Sequence, residues 1–148
     1  MREIKFRGRA DSGPNKGKWY YGFYWTNGKG NHFIRVTKDE NGFCIYDIEV
    51  DPKTVGQYTG LHDRKQTEQY PDGQEIYDGD ILRLWKSVGS NGELRREYYK
   101  PLAVEYNPNW CQFVVEDKEF KTQRGIWLEF GAFEIIGNVH DNFTMLCS

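Results

Sequence analysis

Alanine, the strongest helix former, is nearly missing from this chain of 148 residues, occurring only at Ala10, Ala103 and Ala132. Long regular helices are therefore not expected. Cysteine is scarce too: Cys44, Cys111 and Cys147 are odd in number and widely spaced, with no CxxC pair. That pattern argues against a disulfide framework or a zinc site and for reduced thiols, buried or terminal. No apolar run approaches the roughly 20 residues of a membrane-spanning helix. The opening MREIKFRGRA, charged from its second residue, has no apolar stretch for a secretory signal. Nor is there an excess of positive charge, since 20 Lys and Arg against 22 Asp and Glu leave a formal charge of −2. Bulk charge thus offers no field for indiscriminate polyanion binding. Together these absences predict a cytoplasmic protein with no membrane partner and no cofactor.

What the chain has in quantity is rings and turn formers. Aromatic residues make up 16% of it, and 16 Gly with five Pro cut it into pieces too short for stable long helices. Short alternating runs fill the intervals. In REIKFRG, Ile4 and Phe6 share one face and Glu3, Lys5 and Arg7 the other, the period of a half-buried strand. WYYGFYW puts Trp19, Tyr21, Phe23 and Trp25 on one side and Tyr20, Gly22 and Tyr24 on the other, so both faces carry rings. Asn27-Gly28 predicts a tight hairpin with positive φ, returning through HFIRV, and FCIYDIEV follows as a further strand. WCQFVVEDKEF fits a helical stripe as well as an alternating one, and its Val114-Val115 pair favours the strand. IWLEFGAFEIIGNV reads as one strand or two bent at Gly131, and HDNFTMLCS as a tail.

The polar stretch LHDRKQTEQYPDGQ reads as a surface excursion with room for one helical turn, and it supplies the seam. The fold expected is mainly β with little helix: an N-terminal β unit over 1–60, a connector over 61–74, and a C-terminal unit with tail over 75–148. The second unit is expected to be a barrel-like, SH3-like antiparallel sheet, because closure removes exposed strand edges.

Five short motifs, IKFRGR, WYYG, VDPKTVGQYTGL, EIYDGDI and FEIIGNVHDN, come in an order and spacing that resembles the YopX family of phage and prophage proteins. The resemblance spans nearly the whole chain. It departs at HDRKQTEQYPDGQ, which is longer than the corresponding turn in the family. What it implies is a largely β fold of phage or prophage origin, with no chemistry and no residue roles to carry over.

Several constellations contain residue types that could carry chemistry. His62, Asp63, Asp72, Asp78 and Asp80 could form a metal or acid/base centre, or a hydrolase built on turn carboxylates. No DxDxDG loop with its glutamate and no HExxH occurs, however, and Asp78 and Asp80 fit better as side chains that hydrogen-bond the backbone of a bend. His32 and His140 read as surface donors. Cys111 has no evident histidine partner and reads as buried and structural. Neither RGRADSGPNKGK nor TNGKGN matches a phosphate-binding loop. The remaining functions act through binding. Contact with a protein partner or a second copy of the chain comes first, because it needs no constellation the sequence lacks. Single-stranded nucleic acid is the alternative. The candidate surface for either comprises Trp19, Tyr20, Tyr24, Arg83, Trp85, Arg95, Arg96, Tyr98, Tyr99 and Lys100.

Overall fold

The structure, a computed structural model, describes residues 3–117, 122–125 and 132–146. The chain separates into two compact units, Met1–Gly60 and Leu61–Ser148. Both are antiparallel β, with helix confined to the 3₁₀ turns Pro52–Thr54 and Phe143–Leu146 among the described residues.

In the first unit the strands are β1 (Phe6–Arg9), β2 (Trp19–Thr26), β3 (His32–Asp39), β4 (Gly42–Glu49) and β5 (Gly56–His62), the last running past the unit boundary. Their order within the unit is β4-β3-β2-β1-β5. Register decides which ring-bearing side of β2 is core. Gly8 lies opposite Tyr20, and Ile34 opposite Tyr24 and Ile48. That face therefore turns inward onto Ile34, Val36 and Val50, with Phe6, Tyr20, Tyr24, Cys44, Ile48 and Val55 packed around them. A Cβ on Gly8 would stand 3.0 Å from Val50 and 3.2 Å from Ile34, so only a residue without a side chain lets β1 approach this centre so closely. An isolated bridge between Ala10 and Val50 brings the end of β4 back toward β1.

Asn27-Gly28 does not form the expected two-residue turn. Asn27 instead accepts hydrogen bonds from the backbone N–H groups of Lys29 and Asn31 through its side-chain oxygen, both at 3.0 Å, and the positive φ, 83°, falls on Gly30. The side chain organises a longer loop that the dipeptide signal does not specify.

The second unit holds β6 (Glu75–Tyr77), β7 (Asp80–Val88), β8 (Arg95–Tyr98), β9 (Leu102–Asn107), β10 (Gln112–Asp117), β11 (Thr122–Gly125) and β12 (Ala132–Asn138). Five of them form a sheet in the order β11-β10-β9-β7-β12, with β8 on β7. The expected barrel is absent: the order ends at β11 and β12, so the sheet is open, while its mainly β character holds. The sheet buries side chains on both of its faces. One face carries Leu82, Leu84, Leu102, Val104, Phe113, Val115 and Phe133 with Ile76, and the other carries Ile81 and Ala103 against Leu146. This two-sided burial accounts for the neighbouring apolar residues Ile81 and Leu82 on β7 and Leu102, Ala103 and Val104 on β9, which a sheet with one wet face would not need. Within WCQFVVEDKEF, Gln112–Asp117 forms strand β10, with Val115 opposite Val104.

The tail is not loose, because Leu146 on its 3₁₀ turn is buried against Ile81 and Ala103. Asn138 sets the return, its side-chain oxygen accepting from the N–H groups of His140 and Asp141 at 3.0 Å each. The bend expected at Gly131 and the thiol of Cys147 lie outside the described residues. No helical turn forms between 61 and 74.

Candidate interaction surfaces

Two of the turn carboxylates, Asp63 and Asp80, are engaged with backbone. Asp80 is buried and accepts from the N–H of Tyr77 at 2.8 Å, closing the bend that Gly79 makes with φ 92°. Asp63, only 4% exposed, accepts from Gln74 N–H at 2.8 Å through one oxygen and from Ile135 N–H at 3.1 Å through the other. It pins both ends of the polar excursion, and its second oxygen ties the excursion to β12. Two satisfied backbone donors explain why a carboxylate is kept inside. His62 and Asp72 are exposed. Among the described residues no three His, Cys, Asp or Glu side chains assemble into a metal-binding group. Nor does any described helix have the length and apolarity to cross a membrane.

Cys111 was expected to be buried; it is exposed, in the turn after β9, with φ 51° and its Sγ 3.5 Å from the Pro108 carbonyl oxygen. The turn needs a left-handed residue, and this geometry rather than packing sets its position. Cys44 is the half-buried thiol, and burial, with Asp39 beside it, pushes its pKa up. His32 is no isolated surface donor, since its ring stacks on Tyr24 with 5.8 Å between centroids and its Nδ1 meets the Tyr24 hydroxyl.

The predicted surface residues fall into three places. Tyr20 and Tyr24 are half-buried and pack against the core of the first unit. Trp19 lies on the outer face of the same sheet, where the Arg7 and Arg9 guanidinium groups sit 4.8 Å and 5.7 Å from its ring. The rest come together in the second unit. Trp85 pairs with Tyr98 across β7 and β8, with 6.2 Å between ring centroids. Arg83 stacks on Tyr98 at 4.5 Å and Arg96 on Trp85 at 4.6 Å, giving a cation-ring-ring-cation ladder in which Trp85 itself is buried. Arg83 also donates to Glu134 on β12. Arg95, Arg96, Tyr98, Tyr99 and Lys100 are exposed.

A second surface lies outside the residues predicted from the sequence. On the outer face of the first sheet Trp25 stacks on Phe33, with 4.6 Å between centroids and 20° between planes, and Arg35 covers Trp25 at 5.4 Å. Arg35 also grips Asp47 through two hydrogen bonds of 2.9 and 3.0 Å, to which Trp25 adds an indole N–H at 3.0 Å. The Arg35 guanidinium holds the Asp47 carboxyl below the usual carboxylate range, and its own pKa is raised in return. Tyr21 and Phe23 continue this face into solvent. Beside it runs β4, at the end of the strand order, with Phe43 87% and Ile45 70% exposed. Its first half, Gly42 to Tyr46, has no charge and no proline, the devices that usually blunt an edge. The signal for this surface was present as the alternation of Trp19, Tyr21, Phe23 and Trp25, but which side faced water depended on partners far away in sequence.

The family model described as YopX protein matches residues 9–146. The chain belongs to the YopX family. The match covers nearly the whole chain and so takes in most of both units. No curated protein and no solved structure matches the chain.

Proposed function

We propose that this YopX-family chain is a non-enzymatic binding or regulatory protein that works through protein–protein contacts, in the cytoplasm of a bacterium carrying phage genes. The observation that carries this reading is the edge strand β4, whose uncharged first half exposes Phe43 and Ile45 beside the ring-bearing outer face of Tyr21 and Phe23. Such an edge offers backbone hydrogen bonds to an added strand, and its large side chains supply apolar area for that strand to cover. Monomeric proteins rarely leave apolar groups clustered in this way without a use. The burial of Asp63 and Asp80 against backbone N–H groups supports the non-enzymatic part, because a general acid or base needs to reach a substrate.

The test pairs wild type with the Phe43→Ser, Ile45→Ser variant. Light scattering across a concentration series reports self-association, and capture from the lysed bacterial host reports other partners. Loss of an oligomer, or of a captured protein, in the variant alone supports the proposal. A monomer at every concentration together with identical captures by the two proteins overturns it.

A further inference from the structure

We infer that the β7–β8 hairpin of the second unit is a binding ribbon for single-stranded nucleic acid, a site separate from the β4 edge and independent of its role. The hairpin is built to project. Its tip turns through Asn91 and Gly92, at φ 58° and 81°, with Glu93 N–H bonded to the Ser90 carbonyl at 3.2 Å. Every residue from Gly89 to Lys100 is exposed. From Arg83 to Lys100 the sequence carries five cations, Arg83, Lys86, Arg95, Arg96 and Lys100, against two anions, Glu93 and Glu97, in a chain whose formal charge is −2. The ribbon sequence thus carries a net charge of +3, opposite in sign to that of the chain as a whole, which makes it complementary to a polyanion.

Charge alone would suit any polyanion; the ladder narrows the choice. Tyr98 is 47% exposed, with Trp85 behind it and Arg83 stacked on its ring, so an aromatic platform is held in place at the surface. Arg83 is fixed by Glu134, which leaves phosphate contact to the exposed Arg95, Arg96 and Lys100. A guanidinium stacked on a ring, as Arg96 is on Trp85, keeps its donor edge directed outward for a phosphate oxygen. Platforms of this kind accept unstacked bases, which a duplex does not offer.

The test is fluorescence anisotropy of the full chain with a labelled oligothymidylate of about 15 nucleotides and with a duplex of equal length. Salt is varied from about 25 to 200 mM, a range over which phosphate contacts lose affinity measurably. Three cationic contacts predict a slope of log affinity against log salt of about −2. Arg95→Gln with Arg96→Gln is expected to weaken binding about tenfold or more, and Arg95→Lys with Arg96→Lys to retain most of it. Tyr98→Ala is expected to lose about tenfold on the single strand, with its fold checked by circular dichroism. No binding at the lowest salt, equal binding by wild type and the glutamine variant, or a duplex bound as tightly as the single strand would each overturn the inference.

Discussion

The two units bury apolar surface in different ways. In the first, Ile34, Val36 and Val50 form the fully buried cluster, and half-buried rings such as Phe6, Tyr20 and Tyr24 complete it. In the second, eight residues from five strands make a thicker centre, and buried Asp63 and Asp80 lock the backbone around it. The first unit also leaves Phe23, Phe43 and Ile45 in water, while the exposed rings of the second sit among arginines on a hairpin. A sheet that keeps large side chains outside at the cost of its own centre is arranged for contact, whereas one buried on both faces is arranged for stability.

The sharpest way to break this contrast is to empty each core. Leu84→Ala should cost about 2–5 kcal/mol, with Ile34→Ala at the lower end, because the half-buried rings around Ile34 can settle into the void. Urea unfolding followed by tryptophan fluorescence measures both, and a larger loss at Ile34 would reverse the ranking of the two cores. Next in size, Asp63→Ala leaves the N–H groups of Gln74 and Ile135 without their acceptor, at about 1–3 kcal/mol for each donor that water fails to reach. Those two amides should then exchange with solvent faster than their neighbours, as read by NMR.

Smaller effects probe the outer surfaces. The Phe43→Ser, Ile45→Ser variant should change stability by no more than about 0.5 kcal/mol, since neither side chain is buried, even though it abolishes the proposed contacts. Thiol labelling mapped by mass spectrometry should modify exposed Cys111 about tenfold faster than Cys44, whose raised pKa and burial both keep thiolate scarce. The smallest effect concerns Asp47. Its folded pKa is depressed by Arg35, so the stabilisation it brings is present above the unfolded value near 3.9 and fades as pH falls through the folded one. Asp47→Asn should flatten the decline of the urea midpoint below about pH 4, and only slightly, because the pair is solvent-screened.

Much of the fold was legible because strands announce themselves locally. Local patterns located β1 to β4, Asp78 and Asp80 marked a bend, and Val114-Val115 decided β10. What stayed hidden depended on distant partners. Rings occupy both sides of β2, so nothing local distinguished Tyr20 and Tyr24, packed on the core, from Tyr21 and Phe23, exposed, until β1 and β3 were paired with it. The ladder of Arg83, Tyr98, Trp85 and Arg96 was present as a residue list, but its stacking order follows from the Trp85–Tyr98 register. The open second sheet was unreadable for the same reason, since strand order is a property of pairing and not of pattern.

The most direct test of β4 as a contact strand is hydrogen–deuterium exchange over Gly42–Glu49 and, as internal reference, over β7, with and without the bound partner or second copy. Slower exchange in β4 on binding, with β7 unchanged, is the expected result. Exchange in β4 that stays the same in the complex as in the isolated chain would contradict it.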